Sequence, residues 1–104
     1  MSRKPRPAEV AFLLARTAES IRRRRWAPLR DEDSDASLLS HLREASSDRP
    51  GYSNGPVVDA GIKALCRHLG FLYRDELFAW ETAPRRCRKD LLEVLDETAV
   101  ELRG

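Results

Sequence analysis

The chain of 104 residues has only two cysteines, Cys66 and Cys87. Neither their number nor their spacing resembles the paired cysteines that stabilise small secreted domains. We therefore expect a reducing compartment and predict a cytoplasmic protein. Both cysteines fall on the apolar faces of predicted helices, which favours buried, reduced and metal-free thiols.

Long apolar runs are also missing from the sequence. A membrane-spanning helix needs about 18 predominantly apolar residues, and no segment approaches that length. The segment "VAFLLA" follows the basic "SRKPRP" and could be mistaken for part of a secretory signal, but Arg16 interrupts it before any cleavage site. We expect no membrane partner and assign "VAFLLA" to an amphipathic helix.

The motifs of common enzymes and cofactor sites are absent as well. There is no glycine-rich phosphate loop, nucleophile elbow or HExxH. The histidines and cysteines lack zinc-site spacings, and "DEDSD" lacks the glycine and glutamate of a calcium loop, because Ala36 and Leu42 take those positions. We predict a non-enzymatic protein with no cofactor and no metal.

The composition that remains, 41% hydrophobic and 35% charged, is typical of a soluble globular domain. Apolar residues recur at three- and four-residue spacing along the chain, and almost no alternating pattern occurs. The sequence thus predicts an all-α fold, a single small domain of four to five short helices over 8–104, preceded by a flexible basic tail over 1–7.

Punctuating residues divide this domain into elements. The first helix is expected from about Ala8 to Trp26, and the second in "SDASLLSHLREAS", capped by Asp35 or Ser34. A loop follows over 46–56. The third helix has Pro56 in its first turn, ends at Gly70 and, as the most apolar, is expected to be central. The fourth is "YRDELFAW", and Thr82 caps the fifth, with Pro84 in its first turn.

The centres of the apolar stripes predict one shared core. Its members are Leu14, Ile21, Ile62, Leu65, Leu69, Leu91, Val94 and Leu95. Cys87 is placed on the seam of the last helix and Trp80 in the core. His41 and Arg43 are expected to face water, and Arg25 is expected to lie along the apolar side of the first helix.

Two segments carry a resemblance to known sequences. In "LFAWETAPRRCRKDLLEVLDETAVEL" the residues concerned are Trp80, Pro84, Arg86, Leu91, Leu92, Val94, Leu95, Asp96 and Ala99. This segment resembles the C-terminal half of an uncharacterised family of small actinobacterial and actinophage proteins, which carry a Trp-Asn-Asp-x-Pro-x-Arg-Thr turn before a helix. "TAESIRRRRWAP" is similar to that family's opening helix. Glu81 and Thr82 replace the usual Asn-Asp, and Cys87 replaces threonine.

The resemblance implies a helical fold and an actinobacterial or phage origin, and it supplies no activity. The sixteen arginines and three lysines also suit a GC-rich genome.

Charge is distributed unevenly. Residues 1–30 hold nine basic and two acidic side chains, a net +7, whereas 31–104 hold ten basic and fifteen acidic ones, a net −5. The first basic cluster, Arg22, Arg23 and Arg24, lies where a helix C-terminus favours bases. It is interpreted mainly as a solvated helix end that faces the acidic "DEDSD".

The second cluster, Arg85, Arg86, Arg88 and Lys89, opens the last helix, where bases oppose the helix dipole. Free amides and guanidinium groups together favour an anion, which makes this the strongest candidate binding spot. The alternative is that "DEDSD" or Asp75-Glu76 packs against the cluster and neutralises it.

Two classes of function remain. The first is a protein-interaction or regulatory accessory protein, which needs an exposed anchor such as Tyr73, Phe78 or Trp80. The alternative is a weakly sequence-specific nucleic-acid-binding protein that uses both arginine clusters. "IKALCRHLGFLYRDELFAW" only faintly resembles a helix-turn-helix, because the second helix begins with acids that repel phosphate. The sequence does not determine the oligomeric state.

Overall fold

The structure, a computed structural model, describes residues 4–27, 36–47 and 54–104. These residues form five helices, and no strand occurs among them: α1 (Pro7–Arg23), α2 (Leu38–Ala45), α3 (Gly55–Leu69), α4 (Arg74–Glu81) and α5 (Arg88–Arg103). The prediction of a small all-α domain with four to five short helices is confirmed. "DEDSD", Ser34 and Asp35 included, lies outside the described residues, as does 48–53 of the predicted loop.

The helices pack around one apolar core. α3, which the sequence places centrally, contacts each of the other four helices, and α1 has its most extensive contact with α5. Six of the eight predicted core residues are buried, while Leu69 and Val94 are half-buried and pack against the core. The apolar stripes therefore predicted the packed faces of α1, α3 and α5.

The ends of α3 follow from its flanking residues. Asn54 is the N-cap, and its side chain accepts a hydrogen bond from the Val57 N–H at 3.3 Å. Gly70 ends the helix with φ of 79°, a left-handed conformation that favours glycine, and the Phe71 N–H then reaches the Cys66 carbonyl at 2.8 Å. Gly70 was correctly predicted as the end of this helix.

The start of α2 differs from the prediction. Its N-cap is Ser37, which has extended backbone angles and accepts a hydrogen bond from the Ser40 N–H at 3.2 Å. A serine hydroxyl at this position satisfies one of the free amides of the first turn. The cap therefore lies two to three residues later than Asp35 or Ser34.

The link between α4 and α5 corrects a second prediction. Thr82 ends α4, because its N–H bonds the Phe78 carbonyl at 3.1 Å. Pro84 lies in the following turn and disfavours continuation of α4 through Ala83. The extended residue Cys87, whose N–H is bound by the Asp90 carboxylate, is the N-cap, so α5 begins only at Arg88. Cys87 is the extended N-cap residue of α5 and is exposed. The predicted core position of Cys87 is wrong.

Two further side chains lie elsewhere than predicted. α1 ends at Arg23, so Arg25 is exposed beyond the helix instead of lying on its apolar face. His41 was expected to face water, yet its exposed fraction is 1%. Two hydrogen bonds account for its burial, one to Ser20 of α1 and one to the Arg25 carbonyl after that helix, and both are described below.

Candidate partner-binding groove and its surroundings

The first basic cluster pairs with acids of three helices. Arg22 lies 2.8 Å from the Asp96 carboxylate of α5 and 3.7 Å from Glu19, and Arg23 lies 3.2 Å from Glu19. Arg24 pairs with Glu44 of α2. These partners come from α1, α2 and α5. Each exposed pair contributes only about 0 to 1 kcal/mol, but together they offset much of the positive charge at the end of α1.

Arg86 of the second cluster is engaged within the protein. Its guanidinium group lies 4.1 Å from the centre of the Trp80 ring, and its Nε donates to the Trp80 carbonyl at 2.8 Å. The Asp90 carboxylate lies 3.7 Å away. The Arg86 side chain therefore stabilises the turn between α4 and α5. Trp80, which it covers, is half-buried and packs against the core.

The other members of the second cluster point to solvent. Arg85 and Arg88 form no ion pair among the described residues, and Lys89 approaches Glu93 at 4.0 Å. Asp90 occupies the start of the helix, where its Oδ2 accepts the Cys87 N–H at 3.0 Å. This bond, with the Cys87 thiol, Arg86 and Lys89, lowers the pKa of Asp90. An incoming anion would meet this carboxylate beside the bases.

An open groove lies between α3 and the start of α4. Its volume is about 860 Å³, within the range of about 300 to 1,000 Å³ typical of binding pockets. The apolar lining comes from Ile62, Cys66 and Phe71, and the turn after α3 adds Leu72 and Tyr73. Leu72 is 86% exposed and Tyr73 is 69% exposed. These are the most exposed large apolar side chains among the described residues.

Cys66 joins the turn to the helix. Its Sγ lies 3.8 Å from the Tyr73 carbonyl, to which the thiol donates. Burial, and then the nearby Glu76 carboxylate, raises the pKa of Cys66, although Arg74 acts in the opposite direction. The thiol is therefore held protonated as part of the groove lining, as its predicted burial implied.

The three candidate anchors differ in exposure. Tyr73 is open to solvent at the groove, whereas Phe78 is half-buried and lies under Arg74, whose guanidinium is 6.0 Å from its ring. Trp80 is half-buried beneath Arg86. Tyr73 is thus the one anchor of the three whose ring is available to a partner.

Sequence reasoning missed a buried carboxylate at the end of α4. Glu81 is 1% exposed, and its Oε2 accepts the Leu38 N–H at 2.7 Å and the Trp26 indole N–H at 3.0 Å. Its Oε1 is buried without a hydrogen-bond partner. The carboxylate caps the first turn of α2 and ties α4 to the segment after α1.

A second missed feature is a buried Ser–His contact. His41 Nε2 lies 3.0 Å from the Arg25 carbonyl, which can only accept, so this nitrogen carries the proton. In the neutral ring, Nδ1 then accepts the Ser20 hydroxyl at 2.8 Å. The amide groups around Ser20 belong to α1, and none is free to stabilise an oxyanion. The contact explains the burial of His41 by joining α1, α2 and the chain between them.

The two histidines and two cysteines do not come together to form a metal site. His68 of α3 lies 3.0 Å from Glu97 and 2.9 Å from Glu101, through different ring nitrogens, while His41 is buried elsewhere. Within 4–27, 36–47 and 54–104, no group of three potential ligands could hold a metal ion. In the same ranges no helix combines the length and apolar character needed to cross a bilayer.

Comparison with known proteins places this arrangement in a family. No curated protein and no solved structure matches the chain. One family model, that of the family of unknown function DUF6197, matches residues 5–101. That range includes α1 to α4, α5 up to Glu101, the groove and the buried Glu81. Because this match covers nearly the whole chain, the protein belongs to the family DUF6197.

Proposed function

We propose that this protein is a small, non-enzymatic interaction or regulatory accessory protein that binds a partner protein in the groove between α3 and α4. The exposure of Leu72 and Tyr73 beside an apolar cavity carries the proposal. Adjacent apolar side chains beside a cavity are typical of interaction sites, and aromatic residues often dominate binding energy.

The remaining polar side chains support a role in binding more than one in catalysis. The Ser20–His41 contact, the nearest to a nucleophile and base, has no free amides beside it and buries the imidazole. Glu81 Oε2 accepts from the Leu38 amide of α2 and the Trp26 indole, and the whole carboxylate is buried away from solvent. We extend the proposal to a cytoplasmic protein of an actinobacterium or its phage, on the strength of the arginine-rich composition and the resemblance of "WETAPRRC".

Nucleic-acid binding is the alternative function. Arg85 and Arg88 remain exposed and favour it, but Arg22, Arg23 and Arg24 are offset by carboxylates. The start of α4, where a recognition helix would approach phosphates, carries acids. Such binding would weaken steeply with salt, which distinguishes it from docking in an apolar groove.

Affinity capture from the native host tests the proposal. The wild-type chain is compared with a Leu72→Ser/Tyr73→Ser variant and with Val100→Ser, which removes a side chain of similar exposure, 66%, on α5. We expect specific proteins to be retained by the wild type and by Val100→Ser and lost from the double variant. Equal recovery by all three, or recovery of nuclease-sensitive material alone, would contradict it.

A further inference from the structure

The groove has a defined length and two unlike walls. One wall is the segment of α3 from Asp59 to Arg67, and the other is the turn and first residues of α4, from Phe71 to Asp75. From the first to the last of these nine α3 residues, the helix rises about 12 Å, which is about two helical turns. A segment docked along this wall would therefore place two or three side chains against Ile62, Cys66 and Phe71.

The charges at the groove do not cancel. Arg74 pairs with Asp59 across it at 3.6 Å. Lys63 and Arg67, one helical turn apart on α3, are exposed and form no ion pair among the described residues. Asp75 belongs to the first turn of α4, where the free amides offset its charge. The uncompensated charge along the α3 wall is positive.

The common modes of segment recognition differ in what they require. Strand addition needs a sheet edge, and the described part of the chain has no strand. Recognition of a phosphorylated segment needs a cluster of arginines without adjacent acids, whereas Asp59 and Asp75 both line this groove. A helix that lays an apolar stripe into the groove needs only an apolar floor and charged rims, and both are present.

A second copy of the chain does not supply such a helix. The apolar stripes of α1, α2, α3 and α5 are buried in their own core. The outer face of α5 is acidic, with Glu93, Glu97 and Glu101, but Val100 is the one large apolar residue exposed on it. None of the five described helices exposes a continuous apolar stripe, which favours an occupant from another protein.

We infer that the groove binds an acidic amphipathic helix of a partner protein, an inference that rests on the proposed docking function. Its apolar residues, spaced three and four apart, lie against Ile62, Cys66 and Phe71 and are flanked by Tyr73. Acidic residues one turn apart along its edge pair with Lys63 and Arg67. The charge pattern selects the partner and orients it in the groove.

Two synthetic helical peptides with the same leucine stripe test this assignment. One carries glutamate and the other lysine at the positions flanking the stripe, and each is titrated into the isotopically labelled protein while backbone amide shifts are recorded. We expect the acidic peptide to bind about tenfold more tightly than the basic one. The shifts should cluster on α3 and on the turn over 70–73.

Charge reversal supplies the matched comparison. Lys63→Glu/Arg67→Glu should reverse the preference between the peptides, whereas Arg85→Glu/Arg88→Glu, which makes the same change in net charge, should leave it intact. Circular dichroism melts check that both variants are folded.

The outcomes distinguish the proposed docking function of the groove from the inference that its partner is an acidic helix. Equal binding of both peptides in the groove would overturn the acidic partner and leave the docking function standing. Shifts of the acidic peptide that cluster at Arg85 and Arg88 would move the site to the start of α5 and overturn the assignment. No shift in the groove with either peptide at millimolar concentration, together with unchanged capture by Leu72→Ser/Tyr73→Ser, would overturn both. A concentration-dependent dimer with groove shifts would identify a second copy as the occupant instead.

Discussion

Replacement of Glu81 should have the largest effect of any single polar substitution in the fold. Its carboxylate is the shared acceptor for the first turn of α2 and for the Trp26 indole. Glu81→Ala leaves two donors unpaired, and each such group costs about 1 to 3 kcal/mol when it is buried. The two donors together predict a loss of about 2 to 6 kcal/mol. We expect this loss in the free energy of unfolding.

Such a loss is a large part of the stability of a small domain, which is about 5 to 15 kcal/mol. At about 4 to 8 °C for each kcal/mol, Glu81→Ala should lower the melting temperature by at least about 8 °C. Glu81→Gln keeps one oxygen for both donors and removes the buried charge, so it should cost less. Exposed Glu93→Ala is the control, and it should stay within about 0.5 kcal/mol of the wild type.

A double-mutant cycle identifies the contact responsible. Trp26→Phe removes the indole N–H together with part of the ring, and its effect is measured by urea unfolding in the wild type and in Glu81→Ala, so that the loss of ring packing common to both backgrounds cancels. A coupling of about 0.5 to 3 kcal/mol is typical of residues in contact. Additive effects, or an unfolding midpoint of Glu81→Ala equal to that of the wild type, would refute the role assigned to the carboxylate.

Three other outcomes follow from side chains near the start of α5. Arg86→Ala should lower the free energy of unfolding by about 1 to 3 kcal/mol, because the contact with the Trp80 ring and the hydrogen bond to the Trp80 carbonyl are lost. Arg85 is exposed, so Arg85→Ala should not change the melting curve, and equal effects of the two substitutions would contradict the role assigned to Arg86. A thiol reagent should modify Cys87 quickly and Cys66 slowly in the native protein, and labelling of Cys87→Ser at the fast rate would disprove it. The Cys87 N–H and thiol, with Arg86 and Lys89, lower the pKa of Asp90 below its ordinary value of 3.8. The ionised carboxylate therefore stabilises the fold above that pH, and this stabilisation is lost as the pH falls through the lowered pKa. Asp90→Asn should therefore make the melting temperature less dependent on pH below about 4, and an unchanged acid limb would exclude this contribution.

The sequence predicted the features that depend on neighbouring residues. The stripe through Ile62 and Leu65 and the stop at Gly70 are local patterns of a helix, and both were correctly predicted. The position of Cys87 failed because the same periodicity was extended backwards through Pro84. A proline in a turn ends the phase of one helix, and the next helix begins with its own phase.

Long-range polar contacts could not be predicted in this way. Glu81 contacts Leu38, 43 residues away, and His41 contacts Ser20, 21 residues away. Nothing in the residues next to Glu81 or His41 indicates these partners. His41 was expected to face water, while tertiary packing buries both side chains because each finds hydrogen bonds there.

The start of α5 shows how the location of a helix boundary changes an electrostatic argument. Four bases in a first turn would oppose the helix dipole, which made this cluster the strongest candidate anion site. Because α5 begins at Arg88, only Arg88 and Lys89 lie in its first turn, and Asp90 follows them with favourable charge. Arg86 lies before the helix and stacks on Trp80. Half of the apparent conflict with the dipole therefore disappears. Two exposed pairs of bases remain as candidate anion-binding surfaces, Arg85 with Arg88 and, at the groove, Lys63 with Arg67, and the peptide titrations can distinguish between them.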